Sequence, residues 1–253
     1  MKRFLLTAAA AGGRLWSILP FSLRRYLVFG LFVLESRAAS PADSLRRLFQ
    51  FADDLELTIN ERAMALGKGV HPKHELTRYH EFFTRHTPHG ARVLDVGCGY
   101  GAVAATVAEQ VPDCFVIGLD IDPANIAQAK QRYRRPNLEF RVGDIRDPLP
   151  IGKVDVVVLS NVLEHIDGRV PFLASLKERF SPRRILIRVP LFERDWKMAL
   201  RRQLGVNYLS DPTHFIEHRF EELAGEIEGA GMLMDSCDKV WGEMWAVCRP
   251  KDA

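Results

Sequence analysis

The segment Arg92-Val93-Leu94-Asp95-Val96-Gly97-Cys98-Gly99-Tyr100-Gly101-Ala102 constrains the fold more than any other part of the chain. An apolar run (Val93, Leu94, Val96) stops at a cluster of glycines, and an alanine- and valine-rich stretch from Ala102 to Val111 follows. That order predicts a strand, a tight turn, then a helix whose N-terminal N–H groups face whatever lies over the turn. Glycine suits the turn because it accepts positive φ and has no Cβ to hold a ligand away.

Glycine spacing alone is ambiguous. Gly97, Gly99 and Ala102 also satisfy the dinucleotide pattern G-x-G-x-x-G/A, with Asp120 where a ribose-binding acid belongs. A phosphate-binding P-loop is excluded, because no Gly-Lys-Ser/Thr follows. Two further acids separate the remaining options. Asp95 precedes the first glycine by two positions, where a pyrophosphate would gain nothing from a carboxylate, and Asp144 ends a later strand-like run. A ligand met by a carboxylate at the turn should be cationic there.

With these pieces in place, the chain resembles the class I S-adenosylmethionine-dependent methyltransferases. The matching segments are Val93 to Gly101, Ile117-Gly118-Leu119-Asp120-Ile121-Asp122-Pro123, Gly143-Asp144-Ile145, and Asp155-Val156-Val157-Val158-Leu159-Ser160-Asn161-Val162-Leu163-Glu164-His165. They occur in the family's order, over roughly residues 85–250. The resemblance implies a doubly wound, mostly parallel seven-stranded Rossmann-like α/β sheet with an antiparallel edge strand, and S-adenosylmethionine as cofactor. It places Asp95 and the backbone of Gly97 and Gly99 at the methionine end, with Cys98 and Gly101 completing the turn. Asp120 would take both ribose hydroxyls, Ile121 would press on the adenine, and Asp144 would accept from the adenine amino group. Ile145 and Ser160, in the matching segments, join the expected cofactor site.

The periodicity agrees with that fold. Strands are predicted near 92–97, 114–120, 138–144, 154–160 and 184–190, with helices at 101–111, 123–134 and 169–180. A helix at 220–230 then leads into strand-like runs 232–240 and 243–249, broken at Trp241-Gly242, which read as a hairpin at the sheet edge. Asp122 before Pro123 reads as a helix cap. Residues 191–219 read as an insertion, rich in charge and aromatics, that supplies acceptor contacts.

Ahead of this domain, 91–253, two segments are expected: a basic, apolar helical extension over 1–50 and a helical lid segment over 51–90. Residues 1–50 hold eight Lys and Arg against Glu35 and Asp43, a balance of +6 that leaves −3 for the rest of a chain whose total is +3. Residues 1–13 only superficially suggest a signal peptide. The apolar run Tyr26–Leu34 is too short to span a bilayer. Flanked by Arg24 and Arg25, it reads either as a helix in an anionic membrane interface, through residues 1–38, or as a helix packed on protein. Ser40-Pro41-Ala42-Asp43 reads as a helix start, and Glu75–His86 as a helix presenting Leu76, Tyr79 and Phe83 on one face, with Tyr79 and His80 as lid candidates. The four cysteines form no disulfide framework, which suits a cytoplasmic protein, peripheral on the inner face of the membrane if the extension binds there. His71, His74 and His80 lack a completing Cys or carboxylate, and no metal site is expected.

The acceptor side is less explicit, and oxygen is the acceptor atom expected. A hydroxyl nucleophile calls for a general base, and the candidates are His165, after the fourth strand, and His214, in the insertion. The stretch Leu204 to Glu217 resembles methyltransferases of polysaccharide and lipid-linked glycan pathways. The expectation is therefore O-methylation of a small-molecule, glycan or lipid-linked acceptor, the alternatives being a quinone or lipid methyltransferase at the membrane surface and a non-catalytic S-adenosylmethionine-binding protein. No nucleic-acid partner is expected: the domain is net acidic, and after the fourth strand Ser160-Asn161-Val162-Leu163 stands where base-methylating enzymes carry Asn/Asp-Pro-Pro-Tyr.

Overall fold

Two helical layers cover the two faces of one sheet, so its strands are apolar on both sides. The computed structural model describes residues 12–67 and 71–251. The strands are β1 (Arg92–Val96), β2 (Phe115–Asp120), β3 (Leu138–Val142), β4 (Val156–Ser160), β5 (Arg184–Pro190), β6 (Met232–Val240) and β7 (Glu243–Pro250). Their order is β3-β2-β1-β4-β5-β7-β6. The first five pair in parallel, and β7 pairs antiparallel with both β5 and β6. The antiparallel pairings thus lie at the expected edge, with β7 one strand in and β6 outermost. Trp241 (φ +53°) and Gly242 (φ +75°) join the hairpin. Positive φ at both turn positions matches the right-handed twist of the paired strands.

Successive strand residues face opposite ways, so neighbours in β1 feed different cores. Leu94, with Ile117, Leu159 and Ile187, packs under α7 (Arg169–Phe180) and α9 (Phe220–Gly229). Val93, with Val116, Val158 and Leu186, packs under α4 (Tyr79–His86), α5 (Ala102–Gln110) and α6 (Pro123–Arg132). Full burial of each large side chain contributes about 1.5–3 kcal/mol. Element ends differ from the sequence reading by only a residue or two, the usual fraying margin. Asp122 caps α6 as expected, its Oδ1 accepting from the Ala124 N–H at 2.8 Å.

The front of the chain is helical: α1 (Phe21–Glu35), α2 (Pro41–Leu66) and α3 (Lys73–Thr77) precede α4. Residues 1–11, where the signal-like stretch begins, lie outside the described residues. Ser40 caps α2, its hydroxyl accepting from the Asp43 N–H at 3.2 Å. The expected helix over Glu75–His86 is broken at Arg78, which adopts φ +53°. The break turns Tyr79, Phe82 and Phe83 into the core and leaves Leu76 exposed. Packing against the sheet therefore overrides the single face that periodicity predicted. The front is moored to the insertion through α8 (Trp196–Leu204). Arg201 of α8 spans Asp53, with donor–acceptor distances of 2.8 and 3.1 Å, and stacks over Phe49 at 4.4 Å.

Candidate active site at the strand tips

The carboxyl ends of β1 and β4 flank the point where the chain reverses its direction of sheet building, the place where an open α/β sheet forms a ligand crevice. Gly101, at φ +79°, admits no side chain: a Cβ there would lie 2.4 Å from Phe140 Cζ. Gly99, at φ +54°, differs, because a Cβ there would meet nothing within 4 Å. The turn is thus packed from beneath at Gly101 and open at Gly99. Asp120 organises it: Oδ2 accepts from the Gly99 N–H at 2.8 Å, and Oδ1 accepts from the Asp122 N–H at 2.9 Å and Asn125 Nδ2 at 3.2 Å. A carboxylate has about four acceptor positions, so one remains for a ligand.

Asp95 is 1% exposed, and its Oδ2 has no hydrogen-bond partner. Burial pushes its carboxyl up to about 8; the Ala104 N–H opposes the rise, and the Asp120 charge adds to it. An unpaired acid beside an open turn is the feature a nearby cation would satisfy. Cys98 is partly buried, its Sγ lying close against Gly118.

The other cofactor candidates are more dispersed. Asp144 follows β3, and Arg146 grips both of its oxygens, with Nε at 2.9 Å from Oδ1 and 3.0 Å from Oδ2. That guanidinium holds the Asp144 carboxyl below its ordinary value. Ile121 is 65% exposed beside the β2 tip, whereas Ile145 is buried in the core. Ser160 Oγ accepts from Arg188 Nη1 at 3.4 Å. Asp95, Gly97, Cys98, Gly99, Gly101 and Asp120 therefore converge on one turn, while Asp144 is engaged with its own arginine. An open hollow of about 590 Å³ lies elsewhere, at the opposite end of β3 between Lys130 and Phe140. It contains none of the candidate residues.

On the acceptor side, two histidines 49 positions apart meet. The rings of His165 and His214 lie 4.5 Å apart, edge to face. Around them are Glu164 and Glu217, which were not among the candidate site residues, and Arg194 and Thr213 of the insertion expected to supply acceptor contacts. Glu164 is fully buried, and its Oε1 accepts from Asn161 Nδ2 at 2.8 Å. Glu217 lies 3.0 Å from His214 Nδ1 and accepts from the Ser210 N–H at 2.6 Å and from Arg194 Nη1 at 2.5 Å. Thr213 Oγ1 lies 2.9 Å from His165 Nδ1. A further sequence signal for two of these partners was adjacency: Glu164 precedes His165, and Thr213 precedes His214.

A second unforeseen cluster lies nearby. Arg188 is buried and forms a two-pronged pair with Glu243 at 2.6 and 2.5 Å, its guanidinium lying 3.7 Å over the Tyr79 ring. The lid candidate Tyr79 is thus built into the interior, its hydroxyl 2.6 Å from His74 Nδ1. His80 bonds Thr106 Oγ1 at 2.7 Å. Burial brings His74 and His80 down to about 4.

Residues 93–183, from β1 to the turn before β5, match the family model of a methyltransferase domain. Over that stretch the chain carries a methyltransferase domain, and its likenesses support the class I S-adenosylmethionine-dependent family. A probable S-adenosylmethionine-dependent methyltransferase of Mycolicibacterium smegmatis is 38% identical over 101 residues, covering 38% of each chain. The ubiquinone biosynthesis O-methyltransferase of Rhodopseudomonas palustris is 26% identical over 153 residues, 57% of this chain and 59% of that one. The chain spans about half or less of the length of most of the curated relatives it matches. Among solved structures, the O-methyltransferase NcsB1 from neocarzinostatin biosynthesis, in complex with S-adenosyl-L-homocysteine and 1,4-dihydroxy-2-naphthoic acid, superposes with a TM-score of 0.56. It is 19% identical, over 70% of this chain and 54% of that one, a likeness of fold.

Proposed function

We propose that the protein binds S-adenosylmethionine at the Gly97–Gly101 turn and transfers its methyl group to an oxygen of a small-molecule, glycan or lipid-linked acceptor. One observation supports the reading: an open glycine turn with an unpaired buried carboxylate follows β1, and a histidine pair is anchored by His165 just beyond β4. The donor set suits the cofactor. Gly99 leaves the backbone accessible, Asp95 supplies negative charge toward a sulfonium, and Asp120 keeps an acceptor position for a ribose hydroxyl. When bound, the cofactor supplies an electrophilic methyl whose C–S bond breaks, with the pair staying on sulfur, as the acceptor oxygen forms the new C–O bond. The protein's part is to hold the acceptor in line and to accommodate the proton its hydroxyl gives up, a task that falls to the His165 and His214 side of the crevice. Oxygen is favoured because the ubiquinone-pathway relative and NcsB1 are both O-methyltransferases.

The acceptor reaches the enzyme, in this reading, at an anionic membrane surface, which would place the protein on the cytoplasmic face. No helix among the described residues is long and apolar enough to cross a membrane. Yet α1 buries none of its residues: Phe21, Tyr26, Phe29, Leu31 and Leu34 are all exposed, with Arg24 and Arg25 beside them. Apolar bulk edged with arginine is the composition of an interfacial helix.

Calorimetry tests the cofactor assignment. Saturable binding of S-adenosylmethionine is expected, with Asp120→Ala weaker by tenfold or more, about 1.4 kcal/mol. No binding by wild type, or equal binding by the variant, removes the assignment. Labelled methyl transfer into fractionated cell extract should then appear in the lipid or glycan fraction; label confined to protein or nucleic acid would overturn the acceptor class.

A further inference from the structure

We propose that Glu164, His165 and His214 bind a divalent first-row transition-metal ion on the acceptor side of the crevice. One ligand atom from each of the three residues lies within 4.8 Å of the others. The arrangement is built from two distant segments. The short turn Leu163–His165 after β4 supplies two residues, and the insertion brings the third, with the Phe215 N–H donating to the Glu164 carbonyl at 2.9 Å to lock the segments together.

The hydrogen bonding around the trio prepares it for a cation. Thr213 donates its hydroxyl proton to Asp211 Oδ1 at 2.6 Å, so toward His165 it can only accept, and His165 Nδ1 must carry the proton. His214 Nδ1 lies 3.0 Å from the Glu217 carboxylate, which accepts its proton in the same way. Both imidazoles therefore have Nδ1 engaged by an oxygen partner, which leaves Nε2 as the nitrogen available to a metal. Metal-binding histidines are oriented by this kind of support. Glu164 adds a carboxylate with no exposure to solvent, whose Oε2 has no hydrogen-bond partner and whose Oε1 lies 3.9 Å from His214 Nε2. A buried, half-satisfied carboxylate is disfavoured as an anion unless a cation compensates it. Two imidazoles and one carboxylate suit Mn²⁺, Fe²⁺, Co²⁺ or Zn²⁺ and leave coordination positions open.

The role follows from the methyl-transfer reading, on which it rests. A metal ion with an open position can take the acceptor hydroxyl and lower its pKa, so that the proton leaves to solvent before the oxygen pair attacks the methyl carbon. His165 and His214 would then serve as ligands, and the metal would replace a general base.

The test uses the full chain, stripped with chelator and titrated with Co²⁺ and Mn²⁺. One site is expected, with visible Co²⁺ absorption and, in pulsed electron paramagnetic resonance of the Mn²⁺ form, coupling to two imidazole nitrogens. The resonance result needs no variant, so it stands even if a substituted protein fails to fold. Glu164→Gln and His214→Ala should each weaken metal binding at least tenfold, while S-adenosylmethionine still binds by calorimetry. Absence of imidazole coupling, or unchanged metal affinity in both variants, overturns the proposal. A protonated His214 bridging Glu164 and Glu217 would give that negative result. Retained cofactor binding beside absent metal binding would reject the metal site alone, whereas loss of wild-type cofactor binding would reject the underlying function.

Discussion

Replacing Asp95 by asparagine should turn a pH-dependent part of the protein's stability flat. Asp95 is fully buried, and its carboxyl is pushed up from an ordinary 3.8 to about 8. Burial sets this balance, with two neighbours adjusting it: the Ala104 N–H favours the carboxylate, and the Asp120 charge disfavours it. Between those two values the folded state keeps a proton that the unfolded state has released. Stability from this group is therefore greatest below about pH 4 and falls as pH rises toward 8. At about 1.36 kcal/mol per unit, the loss between pH 5 and pH 7.5 comes to about 3 kcal/mol. The amide of the Asp95→Asn variant has no proton to lose. Urea unfolding of both proteins at the two pH values isolates the effect, because every other titrating group is common to them. The variant should gain about 3 kcal/mol on wild type across that interval. Parallel stabilities, within about 0.5 kcal/mol, would refute the assignment of a neutral Asp95. The same carboxyl should ionise when a sulfonium settles beside it. Binding of S-adenosylmethionine near pH 7 should release up to one proton, seen as a dependence of calorimetric enthalpy on the buffer's ionisation heat.

Three further perturbations separate framework from ligand contact and domain from membrane. Gly101→Ala places a Cβ 2.4 Å from Phe140 Cζ at φ +79° and should cost about 2–4 kcal/mol, measured as a lowered thermal midpoint. Gly99→Ala meets no atom within 4 Å and should cost only about 1 kcal/mol, yet weaken cofactor binding tenfold or more; an equal loss of stability in both would contradict the open-cradle geometry. Wild type should float with anionic vesicles at low salt and detach at about 1 M salt, and the chain lacking residues 1–38 should not float. Equal flotation of the truncated protein would remove the membrane proposal.

Much of the fold was legible because its signals are local. Apolar runs bounded by glycine, a capping Asp122 before Pro123, and Trp241-Gly242 between two strand-like runs each state their structure within a few residues. The glycine turn and its acids were legible for the same reason, since strand length and turn chemistry put Asp95 and Asp120 at neighbouring tips. Arg78 was not legible: its left-handed conformation exists only because Tyr79 and Phe83 have a sheet to enter. Arg146 was equally hidden, as nothing in Gly143-Asp144-Ile145 announces that the acid's oxygens are gripped by the next residue but one.

Sequence by itself determined the parallel sheet, the glycine turn and the two histidines worth watching, because periodicity, glycine and cap chemistry act over a few residues. Only the tertiary structure decided that Glu164 is buried with an unpaired oxygen, that His165 and His214 touch, and that Arg188 is enclosed by Glu243 and Tyr79. Those facts depend on contacts between segments tens of residues apart, and burial, proton placement and charge compensation are properties of the packed environment that no short stretch of chain contains.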